Sequence, residues 1–549
     1  MSGQNDATNA AALGLGMAAF ALLLALIPFW PGAVVIAQHE GDALHLADLV
    51  GRMATAGQMP HRDFMTPIGI GALWPVAAFA RLGFGLGHAF LAAQAVFAAL
   101  LFGPIWRVAV SRFAGGLAWL YAAYVLILCL ALVHGETLPA NSLAMHYNRW
   151  CWALAYVAVP LALLAPRGPR RPGRDGALIG TMLALMAVIK VTYFVAFAPV
   201  VIVALLARRE LRALTVAFFT GLAIALALTA LLGADFWAGY LRDLLAVAAS
   251  KERSAPGVSL GTLLMAPRYI CGTALLLAVV IFLRQSGAKA EGLGLFACAP
   301  AFVYVTYQNF GNDPQWLLLL GLFALMLRPA AALTNGFGWR LRDALLVSGA
   351  GALILAAGPA LNLALSPVRQ ALADLEGTVA YFPARPQDAD LRVHARRVLR
   401  VTQTVAADGP GQPYAAFGAA LPARVGQFML NGETLPECEL ATGYAAWLET
   451  MAQELKAAGY AGSRVLLADI FSGLWLFGPF PPITGAAPWY YSGSPGLAQA
   501  DHVLVPLCAA SKPQRAEFLK AAEGAGWTWV EELRTPTFIL LKPVPPTGR

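Results

Sequence analysis

The residue types best suited to chemistry fall in Gln38-His-Glu-Gly-Asp-Ala-Leu-His45 and in Gly57-Gln-Met-Pro-His-Arg-Asp-Phe-Met-Thr-Pro-Ile-Gly69. Glu40 and Asp42 stand where a long apolar opening segment gives way to polar sequence. A carboxylate leaving a bilayer is costly to desolvate unless it is used or paired. Its natural use is as a general base that takes the proton of an acceptor hydroxyl. Asp63 is a further acidic candidate in the second stretch. The plainer alternative is that Glu40 and Asp42 are solvated, or cap a helix beginning near Ala43. On the chain alone that alternative is the stronger.

Cations suited to an anionic leaving group come next. Lys190 lies in Val188-Ile-Lys-Val-Thr-Tyr193, between two apolar segments. It either snorkels to the interface or serves an anion. Arg149, in Met145-His-Tyr-Asn-Arg-Trp150, and Arg268, in Pro267-Arg-Tyr269, are similar candidates. For these two an ion pair with a nearby acid is the preferred reading. Asn309-Phe-Gly-Asn-Asp-Pro-Gln-Trp316 is a polar hairpin whose Asn312 and Asp313 suit a turn before Pro314. A sugar-hydroxyl contact from Asp313 or Trp316 is the sharper alternative. His39, His61, Arg62, Tyr147, Asn148, Asn309 and Asp313 complete the expected substrate-facing set. A divalent metal held by His39, His45, Asp42 or Asp63 is not the expectation, because hard cations want clustered oxygen ligands. There is no Walker loop, which disfavours nucleotide chemistry, and no His-Glu-x-x-His.

These residues need apolar elements to position them, and the composition supplies them. The 549 residues are 59% apolar and 12% charged, with 38 Lys+Arg against 30 Asp+Glu, a net charge of +8. Soluble domains carry about a quarter charged residues, so the chain is largely made for lipid, neither disordered nor nucleic-acid-binding. Eleven spans are expected at 11–36, 89–106, 113–133, 151–165, 177–190, 192–207, 213–232, 263–283, 291–310, 314–327 and 343–364. Several fall short of the ~20 residues that a perpendicular helix needs, so they are broken or run on into their loops. The interrupted apolar stretch 69–84 reads as a helix lying at the outer interface. With the N-terminus inside, the inner loops hold fourteen basic residues against four acidic, and the outer loops nine against nine. The positive-inside bias favours this orientation, and an odd number of spans puts everything after about residue 366 outside the cytoplasm.

Two domains follow: a membrane part, 1–365, with a large first outer loop at 37–88, and a small soluble α/β part, 366–549. The tail has fifteen basic and sixteen acidic residues. Strands are expected at Ser463–Asp469 and Asp501–Pro506, a closing hairpin over Trp527–Lys542, and helices over Leu440–Gly459 and Lys512–Ala525. Six cysteines are scattered without a Cys-x-x-Cys pair. The compartment permits a Cys438–Cys508 disulfide, but nothing in the sequence calls for it, and free thiols are the expectation.

The carboxylate after span one, followed some twenty residues later by Gly57-Gln-Met-Pro-His-Arg-Asp-Phe64 and a Pro-rich interfacial helix, resembles the GT-C class of integral-membrane glycosyltransferases. Protein mannosyltransferases and the lipid A aminoarabinose transferase belong to that class. Specific residues match over about 39–69, and the layout matches over the whole chain. The resemblance implies a polyprenyl-phosphate sugar donor, inverting transfer on the outer face of the inner membrane, and a catalytic acid in the first loop. The acceptor is a glycan, lipid or protein, with no cofactor and no nucleic-acid partner. The commoner pattern places Asp and Glu side by side, whereas this chain reads His39-Glu40-Gly41-Asp42. The base is therefore Asp42 or Glu40, with Asp42 preferred and Asp63 as the further acid. A transporter or flippase and a non-catalytic scaffold for envelope polysaccharide assembly are the competing classes. Transporters favour matched halves with ionisable groups at mid-membrane, and here the polar residues crowd one face.

Overall fold

The computed structural model describes residues 2–133, 135, 138–250, 259–309, 315–329, 333–422 and 424–546. The first two-thirds of the chain is helical. It runs α1 (Ser2–Leu26), a short strand β1 (Val34–Ile36), α2 (Glu40–Thr55), α3 (Ile70–Arg81), α4 (Leu86–Arg112), α5 (Gly115–Leu130), α6 (His146–Leu163), α7 (Pro172–Ile189) and α8 (Val191–Ala207). It continues with α9 (Leu211–Leu232), α10 (Ala234–Ala249), α11 (Leu260–Met265), α12 (Pro267–Gln285), α13 (Lys289–Gln308), α14 (Trp316–Met326) and α15 (Leu341–Ala371).

Among the described residues, seven helical segments are long and apolar enough to cross a membrane: Ala10–Phe29, α4, α7, α9, α12, α13 and α15. The apolar helices α3, α5, α8 and α14 are shorter. Helix α9 makes the preference plain. Of its 22 residues only Ala213 and Ala217 are buried, and the remainder presents Leu, Phe and Ala outward. A helix apolar all round is stable where its surroundings are apolar too.

Small residues set the closest helix packing. A methyl at Gly176 would stand 2.4 Å from the Ala213 carbonyl oxygen, and one at Gly180 would stand 2.3 Å from that of Ala217. The two contacts advance together along both helices, so α7 and α9 run parallel, with α8 returning between them. The alternation sorts the loops. One end gathers Trp106 on the Ala10 carbonyl, Arg167 on Ser111 and Phe113, Arg112 on Asp175, and Arg208 on the Ala162 and Leu164 carbonyls. The other end gathers the 37–69 loop, residues 138–148, Lys190, α10 and the C-terminal region.

The C-terminal region begins within α15, which runs through position 366 to Ala371. It then has β2 (Thr378–Ala380), β3 (Leu391–His394), α16 (Ala395–Val398), β4 (Thr402–Val405), α17 (Ala415–Gly418), and a small ribbon of β5 (Met429–Leu430) and β6 (Glu433–Thr434). After these come β7 (Cys438–Thr442), α18 (Tyr444–Ala457), β8 (Val465–Leu467), β9 (His502–Pro506), β10 (Cys508–Ala509), α19 (Lys512–Gly524), β11 (Thr528–Arg534) and β12 (Phe538–Val544). The largest sheet has the order β11-β12-β9-β8, with β8 and β9 parallel and the other pairs antiparallel. The expected strands, closing hairpin and last helix lie where the sequence reading puts them.

Three expectations are corrected. The first span does not reach residue 36: the helix stops at Leu26, Pro28 and Gly32 (φ +73°) turn the chain, and Val34–Ile36 pairs in parallel with Leu391–Val393. The helix expected over Leu440–Gly459 starts only at Tyr444, because Cys438–Thr442 pairs with β4 and β10. Cys438 and Cys508, opposite each other in the parallel pair of β7 and β10, form a disulfide.

The first loop and the tail are thereby one packed body. Arg52, 1% exposed, bonds Asp48 at 2.6 Å, the Ile483 carbonyl at 2.7 Å and Gln58 at 3.1 Å. Trp475 Nε1 donates to Asp48 at 2.8 Å. Gly41 and Gly51 let α2 lie directly on Phe471 and Trp475.

Candidate functional site

Lys190 is the hinge of the site. It alone separates α7 from α8, in an extended conformation (φ −154°, ψ 105°). Its ammonium donates to Asn148 Oδ1 at 2.8 Å and to Asn309 Oδ1 at 2.5 Å, and lies 5.2 Å from the centre of the Tyr147 ring. Asn309 in turn donates to the Tyr193 hydroxyl at 3.2 Å. Both acceptors are side-chain amides, and the two bonds fix the position of the ammonium. Four expected site residues, Lys190, Tyr147, Asn148 and Asn309, are thus brought together from three separate parts of the sequence. Tyr193 was missed, although its position three residues past Lys190 puts it one helical turn along α8.

Close backbone contacts bring α3 and the first loop to this point. Gly69 N donates to the Ile189 carbonyl at 3.1 Å, and a side chain at Gly69 would collide with the Val188 carbonyl at 2.1 Å. His146 Nε2 lies 3.1 Å from the Ala72 carbonyl oxygen. The Tyr240 hydroxyl donates to the Ala187 carbonyl at 3.1 Å, which seats α10 against the same helix end. An apolar cleft of about 410 Å³ opens beside it between α7, α8 and α9. Its walls run from Ala187, Val188 and Trp237 down to Gly180 and Ala217. Eight residues of helix, roughly 12 Å, separate its ends along α7.

The acidic residues occupy the start of α2. His39 takes the left-handed conformation (φ 59°) and its Nδ1 lies 3.2 Å from Ser142 Oγ. Glu40 is buried and paired with Arg397, whose Nη2 donates at 3.0 Å and whose Nε makes a second bond. The Tyr381 hydroxyl donates to the Glu40 carbonyl at 2.8 Å. Asp42 is half-buried in the same first turn, where the helix dipole favours a negative charge. Burial, with the nearby carboxylates of Glu40 and Asp42 adding to it, pushes the Tyr381 phenol far above its ordinary range. Tyr444 is raised by burial and then by Asp469, Glu40, Glu439 and Asp42. Arg397, Tyr381 and Tyr444 come from the C-terminal region, and no local sequence signal marks them.

The segment 141–148 links the two groups. Asn141 accepts from Ala37 N, Ser142 meets His39, and Asn148 holds Lys190. Six residues, roughly 20 Å at full extension, therefore bound the chain distance from the His39 contact to the Lys190 contact.

Other expected residues have structural tasks. Asp63 accepts from Met59 N at 2.8 Å and closes its own turn. His61, in the left-handed conformation (φ 68°), is buried against Asp243 at 2.9 Å, which also accepts from Thr66 N at 3.1 Å. Arg62 is exposed. Arg149, read as a phosphate ligand or an ion-pair partner, is 2% exposed. It donates to the carbonyls of Val133 at 2.5 Å and Ala131 at 2.7 Å, the residues that follow α5. Arg268 stands in the first turn of α12 with its guanidinium 6.0 Å from the centre of the Tyr269 ring. Asp313 and Asn312 lie outside the described residues. Among the described residues no group of three or more His, Cys, Asp or Glu side chains is placed to hold a metal.

Among the described residues, three of the five non-glycine residues with positive φ, His39, His61 and Met145, lie in the loops at this end. Such conformations persist only where the surroundings enforce them, and they cluster at functional sites. The chain matches no protein-family model and no curated protein.

Proposed function

We propose that this chain is a polytopic glycosyltransferase of the GT-C kind, with eleven crossings of the inner membrane. In this reading the N-terminus is cytoplasmic and the C-terminal α/β region is periplasmic or extracellular. It transfers one sugar from a polyprenyl phosphate to an envelope glycan, lipid or protein on the outer face. The observation that carries the reading is Lys190. Its ammonium is held by Asn148 and Asn309 at the break between α7 and α8, at the same end of the bundle as Asp42, and the neighbouring Val188 lines an apolar cleft between α7, α8 and α9. A phosphate with a long hydrocarbon tail needs that combination of a placed cation and an apolar wall.

In this reading Asp42 is the base, and Glu40, whose carboxylate Arg397 holds, is the second acid beside it. Asp42 takes the proton of the acceptor hydroxyl. The freed oxygen attacks the anomeric carbon, the bond from that carbon to the phosphate oxygen breaks, and the electron pair leaves on the polyprenyl phosphate, whose charge Lys190 stabilises. The half-buried Tyr444 phenol, kept protonated by its surroundings, suits a contact to an acceptor hydroxyl, while Tyr381 is spent on the Glu40 carbonyl.

Mass spectrometry of surface glycans and lipids from cells lacking the protein is the test, with add-back of the native chain or of Asp42→Asn. The expected result is a missing sugar and accumulated polyprenyl-phosphate sugar. The native chain restores the profile, and Asp42→Asn, correctly inserted, restores about 10²–10⁴-fold less transfer. An unchanged profile in the deletion, or full rescue by Asp42→Asn, overturns the reading and leaves the scaffold and flippase classes.

A further inference from the structure

The opposite end of the bundle holds a different charged pit. It is formed by the end of α4, the α6–α7 connection and the α8–α9 connection, and it is lined by Arg112, Arg170, Arg171, Arg208, Asp175 and Glu210. We propose that this pit binds the phosphate of an anionic lipid headgroup.

The charge balance is the first support. Asp175 is already shared by Arg107 at 2.5 Å and Arg112 at 2.6 Å. Glu210 stands 3.7 Å from Arg170 and 4.0 Å from Arg208. In the lining, two carboxylates thus face four guanidinium groups once Arg171 is counted. Arg171 makes no ion pair among the described residues. A basic pocket between helix ends is the usual design for an anionic headgroup.

A buried orphan donor is the second, independent support. Arg112 is 2% exposed, lines the pit, and its Nε is buried without a hydrogen-bond partner among the described residues. A buried N–H of this kind calls for an acceptor, and an oxyanion supplies one.

Shape decides what enters. The enclosed space is about 20 Å³, room for one water-sized group, so the pit takes one leading oxygen of a phosphate while the rest stays outside. Leu161, Leu205 and Ala213 make its apolar wall. The adjoining helix α9 exposes apolar side chains on nearly every side, so the space next to the pit suits acyl chains.

Thermal melting of the purified full-length chain in detergent tests this. The additions are phosphatidylglycerol, phosphatidylcholine or inorganic phosphate. Arg170 and Arg171 are exposed, so the double variant Arg170→Gln/Arg171→Gln should fold. Arg340→Gln/Arg342→Gln, exposed at the start of α15 and away from the pit lining, is the control. Phosphatidylglycerol at a hundredfold excess over its Kd should raise Tm by roughly 2 °C in the native chain and in the control. The shift should fall by at least half in the pit variant, and phosphatidylcholine should give none. Equal protection by millimolar inorganic phosphate, still lost in the pit variant, keeps the phosphate site and assigns it to a soluble ligand. An equal shift in native and pit-variant chains, or an equal loss in the control, overturns the proposal.

Discussion

At the scale of single residues, the division of labour between Glu40 and Asp42 rests on one contact. Both lie in the first turn of α2, but Glu40 has Arg397 on its carboxylate and Tyr381 on its carbonyl. The Arg397 side chain is about half exposed, so the pair contributes no more than a surface-type ~1 kcal/mol. Its larger effect is to fix the Glu40 side chain at the start of α2. On the proposed reading Lys190 is the matching cation. Lys190→Met should lower kcat on a polyprenyl-phosphate sugar about 10²–10³-fold, the scale for losing one charge-stabilising group. Lys190→Arg should fail to rescue, because a planar guanidinium cannot take the place of a compact ammonium between Asn148 and Asn309. Single-turnover assays on the purified variants check both. Activity near native in Lys190→Met would remove Lys190 from the leaving-group role.

At the scale of elements, the small residues of α7 fix the cleft. Gly180 rests on the Ala217 carbonyl, and a methyl there would sit 2.3 Å from that oxygen. Backbone must move to admit it, so Gly180→Ala should cost roughly 1–3 kcal/mol, read as a lower Tm in detergent. Gly173, with open space around it, is the control, and its alanine variant should melt as the native chain does. The sheet end of the C-terminal region offers a pH test. Asp469, fully buried after β8, accepts from Ala510 N at 2.6 Å and Ser511 N at 2.8 Å, yet burial outweighs these bonds and raises its carboxyl to about 6. A carboxyl raised on folding contributes most below its unfolded value near 4, and that contribution is lost as pH rises through about 6. The native chain should therefore lose on the order of 3 kcal/mol between pH 4 and 6 relative to Asp469→Asn. Chemical denaturation at several pH values measures the difference. The same slope in both chains would rule Asp469 out as its source.

At the scale of the whole molecule, the tail and the first loop are folded into each other. Strand β1 from the loop pairs with β3 from the tail, and Arg52 of α2 is held by the Ile483 carbonyl. The Cys438–Cys508 disulfide closes a separation of 70 residues inside this body. Chain-entropy arithmetic gives up to about 4 kcal/mol for such a loop. Reduction, or Cys438→Ser with Cys508→Ser, should lower the melting temperature of the C-terminal region and loosen the Glu40–Arg397 contact. Hydrogen exchange of α2 and α18 with and without a reductant reports both effects, and unchanged exchange would show that packing alone holds the body together.

The apolar runs, the break at Lys190, the α/β character of the tail and the sorting of basic residues to one set of loops were readable from the sequence. Each is set by local composition and period: about twenty apolar residues make a helix long enough to span, and alternating or short buried runs make strands. The partners of the site residues were not readable. Glu40 meets Arg397 across 357 positions, and Lys190 meets Asn148 and Asn309 across 42 and 119. Ion pairs and hydrogen bonds are chosen by proximity in space, and closing a longer loop costs little more than closing a short one. Separation along the chain therefore leaves almost no trace of them, and only the tertiary structure decided that Arg397 holds Glu40 and that Asn148 and Asn309 hold Lys190.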